Sequence, residues 1–124
     1  MDNKRVLIVE DEKDIQELLQ ARLESEEFEC LLAKDGEEAL QKARKEMPDL
    51  ILLDIMLPKM DGYKVCRLLK FDEKYKHIPI IMLTAKTQEA DRLMGLETGA
   101  DEYVLKPFEW KDLLIIIRKY LQKK

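Results

Sequence analysis

The chain has 124 residues, with 22 Lys plus Arg against 26 Asp plus Glu, for a net charge of −4 at pH 7. That length fits one domain of ordinary size, expected to span 1–124. The mildly acidic balance argues against a general nucleic-acid surface, which needs a basic stripe. No apolar run approaches the ~20 residues that span a bilayer, and residues 1–12 lack the features of a signal peptide. A soluble, cytoplasmic protein without a membrane partner is expected. Cys30 and Cys66 match no metal-ligand spacing and read as free thiols in a reducing compartment.

Five short runs rich in Val, Ile or Leu read as strands: 6–9, 28–32, 50–53, 78–83 and 103–105. Amphipathic segments alternate with them. Ile15, Leu18, Leu19 and Leu23 share one face of a first helix, and Ala39, Leu40 and Ala43 one face of a second. Val65, Leu68 and Leu69 mark a third, entered through Asp61 and Gly62. Leu93, Met94 and Leu96 mark a fourth, closed by Gly99 as a C-terminal cap. Leu113, Ile117, Tyr120 and Leu121 form the inward stripe of a fifth.

Strands alternating with helices predict an α/β fold: (βα)5, doubly wound and flavodoxin-like, with a five-stranded parallel sheet flanked by five helices. Runs apolar at successive positions suit strands covered on both faces. The chain stops shortly after the last helix, so no attached output domain is expected.

Open parallel sheets bind ligands beyond the carboxyl ends of their strands. Those ends carry Glu10 and Asp11, Asp54, Thr84, and Lys106 with Pro107. Crowded carboxylates repel one another, and a divalent cation together with Lys106 would relieve them. The ligands on offer are oxygens, so the cation should be hard, Mg²⁺ or Mn²⁺. Such a site suits a phosphoryl group, whose transfer needs positioning and charge neutralisation. A carboxylate in line would become an acyl phosphate. Spacing alone does not choose between Asp54 and Asp11 as that nucleophile.

Four blocks carry a family resemblance: VLIVEDE, LILLDIMLPKMDGY, IPIIMLTA and GADEYVLKPF. In this order they resemble bacterial two-component response-regulator receiver domains, over essentially the whole chain. The resemblance implies that Asp54 is the phosphoacceptor. It also implies that Asp11 and Asp54 bind Mg²⁺ directly, Met56 through its backbone carbonyl, and Glu10 largely through water. Lys106 resembles the phosphate-pairing lysine, and its bond to Pro107 the family's cis peptide. Ala85 is small where the phosphoryl group needs room. Thr84 and Tyr103 stand where a hydroxyl drawn inward lets an aromatic ring turn. That motion reshapes the face of the fourth helix, fifth strand and fifth helix.

The partners implied are a sensor histidine kinase or phosphotransfer protein, an unnamed downstream target, and a second copy of the chain. No direct nucleic-acid contact is implied. Ile115 points away from the inward stripe of the last helix, with Ile116 flanking the stripe and Trp110 at the helix start. These residues are expected to form a docking surface. Winged-helix relatives carry an arginine for a charged dimer where Ile116 stands, while Arg92, Asp101 and Glu102 match other charges of that pairing.

Two competing functions read less well. An aspartyl-phosphate phosphatase usually carries a second Asp two residues after its nucleophile, where this chain has Met56. An FMN carrier would need a hydroxyl- and glycine-rich loop after the first strand, where EDEKD stands. The protein is therefore expected to be a switch rather than an enzyme. His77 reads as an exposed loop residue.

Overall fold

The computed structural model describes residues 3–55, 57, 59–84 and 99–122. Alternating strands and helices run as β1 (Arg5–Val9), α1 (Lys13–Ser25), β2 (Glu29–Ala33), α2 (Gly36–Glu46) and β3 (Leu50–Asp54). They continue with α3 (Gly62–Lys70), β4 (Ile80–Thr84), β5 (Glu102–Leu105) and a C-terminal helix (Trp110–Leu121). The five strands form one parallel sheet in the order β2-β1-β3-β4-β5. This is the flavodoxin-like α/β architecture. The fourth helix expected around Leu93, Met94 and Leu96 lies outside the described residues, as do Met56, Ala85 and Arg92.

Period-two alternation divides each central strand between two cores. Leu7, Val9, Ile51, Leu53, Ile80 and Met82 face a core shared with Ala39, Leu40 and Ala43 of α2 and Val65 and Leu69 of α3. Val6, Ile8, Leu50, Leu52, Ile81 and Leu83 face the other, with Leu19 and Leu23 of α1 and Leu113 and Ile117 of the C-terminal helix. Burial on both faces explains why LIV and LILL are apolar without interruption.

Local chemistry sets the boundaries. Glu27 adopts the left-handed conformation (φ 69) beyond the end of α1. Phe28 N donates to Leu23 O and Glu27 N to Glu24 O, the two bonds of a Schellman motif. Phe28 is thus engaged in ending α1, and β2 starts at Glu29 rather than at Phe28. Pro79 has no N–H to give, so β4 starts at Ile80, two residues later than the apolar run suggested. Asp35 caps α2 by accepting from Glu38 N, and Asp61 caps α3 by accepting from Lys64 N. Gly99 has φ 83, in the left-handed region that favours glycine; the helix it was expected to close lies outside the described residues.

Two residues depart from the predicted stripes. Leu18 is 56% exposed, and Leu68 is exposed while Cys66 takes the buried place in α3. A stripe of apolar residues at helical spacing is wider than the strip a helix buries. Its edge residues therefore stay in solvent.

Gly62 marks a close approach. A Cβ there would stand 2.6 Å from Asp54 O and 2.8 Å from Ile55 Cα, both backbone atoms. Gly62→Ala should therefore cost about 1–3 kcal/mol, read as a lowered midpoint in chemical denaturation. A variant as stable as wild type would show that the loop after β3 can yield.

Candidate functional site

Parallel registers bring the strand ends together. Val9 pairs with Leu53, which sets Glu10 beside Asp54. Asp54 pairs with Leu83 and Thr84 with Leu105, which sets Thr84 and Lys106 at the same edge. Lys106 N also donates to Thr84 O at 2.6 Å, carrying β4–β5 pairing one residue further. The Lys106–Pro107 peptide bond is cis.

Burial separates the three acids. Glu10 is 1% exposed, Asp54 5% exposed and Asp11 exposed. One carboxylate oxygen from each lies within 4.8 Å of the others. Lys106 Nζ stands 3.5 Å from Glu10 Oε1 and 3.4 Å from Asp54 Oδ2. Close charge-assisted bonds run about 2.7–2.9 Å, so the ammonium spans both acids without closing on either. Glu10 Oε2 accepts from Glu12 N at 3.2 Å. Thr84 is fully buried.

Glu10 records the electrostatic cost. Burial, and then the neighbouring Asp54 carboxylate, push its carboxyl from 4.5 up to about 7, against the opposing pull of Lys106 and the Glu12 N–H. Ionising Glu10 is therefore harder in the folded protein than in an unfolded chain. Among the described residues the cluster's ligands are carboxylates, three of them beside the one ammonium of Lys106. That donor chemistry fits a hard divalent cation and lacks the His or Cys a softer metal prefers.

The remaining predicted residues fall in several places. Tyr103 packs against the α2–α3 core, and its hydroxyl is buried with no hydrogen-bond partner among the described residues. Such a group carries a desolvation penalty of about 1–3 kcal/mol. Asp101 Oδ2 accepts from Ile80 N and from Lys70 Nζ, both at 2.8 Å. Lys70 Nζ donates further to Lys76 O and Ile78 O. Asp101 thus ties the start of β5 to the loop before β4. Tyr120 OH lies 2.7 Å from both Glu102 Oε1 and Asp101 O.

Trp110 and Ile115 face different ways. Trp110 is half-buried against the α1 side, with the Arg22 guanidinium 6.0 Å from its ring centroid. It lines a groove with Leu18, Leu19 and Phe108. Ile115 is 66% exposed beside Arg118, Lys119 and Gln122, and Ile116 packs partly against the core. Exposed Leu18 is a surface feature the sequence reading placed in the core; its position at the stripe's edge was the available signal.

Residues 6–118 match the family described as response regulator receiver domain. The chain belongs to that family. It is 47% identical over 121 residues to the alkaline phosphatase synthesis transcriptional regulatory protein PhoP of Bacillus subtilis, covering 98% of this chain and 50% of that protein. The chain thus spans about half the length of the curated relatives it matches. Among solved structures, a CheY-like receiver domain protein from Methanospirillum hungatei superposes with a TM-score of 0.90 at 32% identity, covering 97% of this chain and 94% of that one. The BeF3-activated N-terminal receiver domain of Klebsiella pneumoniae RstA superposes with a TM-score of 0.87 at 32% identity, covering 97% and 100%.

Residues 6–118 are thereby the receiver domain of a two-component phospho-switch, a phosphoacceptor module, with the acidic triad typical of a receiver Mg²⁺ site. Receiver domains interact with histidine kinases. No helix among the described residues is long and apolar enough to cross a membrane.

The raised carboxyl of Glu10 yields a test. Glu10→Gln removes a disfavoured charge, so without divalent cation it should melt about 3–5 °C higher, the shift that ~1 kcal/mol gives in a domain of this size. Mg²⁺ should raise the melting point of both proteins, the wild type's by more, because only the wild type has the Glu10 charge for the cation to relieve. A cation-free variant that melted below wild type would contradict the electrostatic account.

Proposed function

We propose that residues 1–124 form one receiver domain in which Asp54 accepts a phosphoryl group from a histidine kinase or phosphotransfer protein. The observation that carries this reading is the end of β3. There Asp54 is nearly buried, beside Glu10 and Asp11 and 3.4 Å from the Lys106 ammonium. An Asp54 carboxylate oxygen attacks phosphorus and forms an acyl phosphate. The phosphorus–nitrogen bond of the phosphohistidine breaks, and the imidazole leaves with the electron pair and takes up a proton.

Asp11, Asp54 and the Met56 carbonyl would hold Mg²⁺ (or Mn²⁺), with Glu10 acting through water. The cation would neutralise charge on the phosphoryl oxygens. Lys106 supplies a fixed positive charge to the same oxygens, and Thr84 a hydroxyl donor. Ala85 leaves room. Asp54 is preferred over Asp11 as the nucleophile because it sits at the centre of the strand ends and at Lys106. Asp11 is the exposed member of the trio.

The output follows from Thr84 and Tyr103. Drawing the Thr84 hydroxyl toward a phosphate alters the space available to the Tyr103 ring. The buried phenol, without a hydrogen-bond partner among the described residues, makes one ring position costly and so easily biased. The face of the fourth helix, β5 and the C-terminal helix, including Arg92, Ile115 and Ile116, would then meet a target protein or a second copy of the chain. The setting would be the cytoplasm.

Incubation with acetyl phosphate and Mg²⁺, followed by intact-mass measurement, tests the assignment. One added phosphoryl group is expected, absent in Asp54→Ala and absent with chelator. Full phosphorylation of Asp54→Ala would move the nucleophile elsewhere.

A further inference from the structure

A side chain without a part in the proposed chemistry lies directly against the acidic turn. Gln16, in the first turns of α1, points its amide nitrogen at three backbone carbonyls. They are Ala33 O at 2.9 Å, Glu10 O at 3.3 Å and Ile8 O at 3.5 Å. All three neighbours are acceptors only, so the amino end and not the oxygen must face them. Ala33 O accepts Glu10 N as well, at 3.0 Å.

These carbonyls stand where regular pairing stops. Val9 and Ala33 are the last residues of β1 and β2, and their register ends at that pair. Beyond it the chain turns through Glu10 and Asp11 into α1. The entry to α1 has no side-chain cap: Glu12 at the N-cap makes no such hydrogen bond, unlike Asp35 in α2 and Asp61 in α3. Glu12 N is held instead by Glu10 Oε2. A cation drawing on Glu10 competes for that carboxylate, whereas the Gln16 bonds to backbone do not involve it.

We infer that Gln16 is a positioning residue. Its amide clamps the ends of β1 and β2 to α1 and thereby fixes the Glu10–Asp11 turn in the arrangement that presents both carboxylates to a divalent cation. This rests on the proposed metal reading. Groups that hold first ligands in place typically govern metal affinity by 10–100-fold, and a half-buried amide shared among carbonyls is of that kind.

Mn²⁺ binding, read from the loss of the free-ion electron paramagnetic resonance signal, tests the inference without any phosphoryl transfer. Gln16→Met keeps the length and neutrality of the side chain and removes both donors. It should bind Mn²⁺ about tenfold more weakly while circular dichroism shows the native fold. Gln16→Glu keeps the shape, removes the donors and adds a negative charge. Charge alone would tighten Mn²⁺ binding; loss of the clamp should weaken it below wild type. In the wild-type protein, the Gln16 side-chain N–H protons should exchange slowly with solvent, which can be read even if both variants fold poorly. Wild-type affinity in Gln16→Met, tighter binding in Gln16→Glu, or fast exchange of those protons would each overturn the clamp. A wild-type protein that bound no Mn²⁺ would remove the metal reading itself, and this inference with it.

Discussion

Among the described residues at the carboxyl edge of the sheet, one ammonium faces three carboxylates. Lys106 Nζ reaches Glu10 and Asp54 at 3.5 and 3.4 Å, and Asp11 completes the acidic group. The consequence is written on Glu10, whose carboxyl is pushed up to about 7 by burial and by Asp54. A protein selected for stability alone would not keep this arrangement. Local cost at a defined place, borne by a structure stable elsewhere, is the pattern of a functional site.

The rest of the fold makes that arrangement obligatory. Two apolar cores cover the sheet on both faces, so the strands cannot slip without exposing Leu, Ile and Val side chains. Parallel registers then deliver Glu10, Asp54, Thr84 and Lys106 to one edge. The loops are pinned individually. Gly62 lets the loop after β3 lie against the Asp54 carbonyl. Asp101 joins β5 to the loop before β4 through Ile80 N and Lys70. Gln16 holds the turn after β1. Glu10 and Asp54 are thus kept from relaxing into solvent, with exposed Asp11 beside them, which is what leaves the group ready for a cation.

Most of this was legible in the sequence because both signals are short-range. An uninterrupted LILL specifies a strand buried on two faces, and its last neighbour, Asp54, must then emerge at the edge. The same logic found Glu10, Thr84 and Lys106. Boundaries were less legible because bonds from outside the strand decide them: Phe28 is captured by the end of α1, Ile78 N is tied to Tyr75 O, and Pro79 has no N–H to give. Leu18 and Leu68 satisfied the helical spacing yet lie at the edge of the buried strip, which only packing reveals. Asp101 read as one charge of a dimer pairing, and no sequence signal showed that its carboxylate also accepts from Ile80 N and Lys70 within the fold. Trp110 and Ile115 looked like one patch, though they occupy different sides of the same helix. Gln16 gave no signal, because a glutamine on a polar helix position reads as solvated until three carbonyls are found around it.

The central claim is that these crowded acids are completed by a hard cation and then by a phosphoryl group. Amide correlation spectra recorded with Mg²⁺, and again with Mg²⁺ plus beryllofluoride as a stand-in for the phosphoryl group, address it most directly. Mg²⁺ alone should shift resonances around Glu10, Asp11 and Asp54. The addition of beryllofluoride should extend the changes to Thr84, Lys106 and Tyr103. Spectra unchanged by both additions, or changes scattered over surface acids while Asp54 stays still, would contradict it.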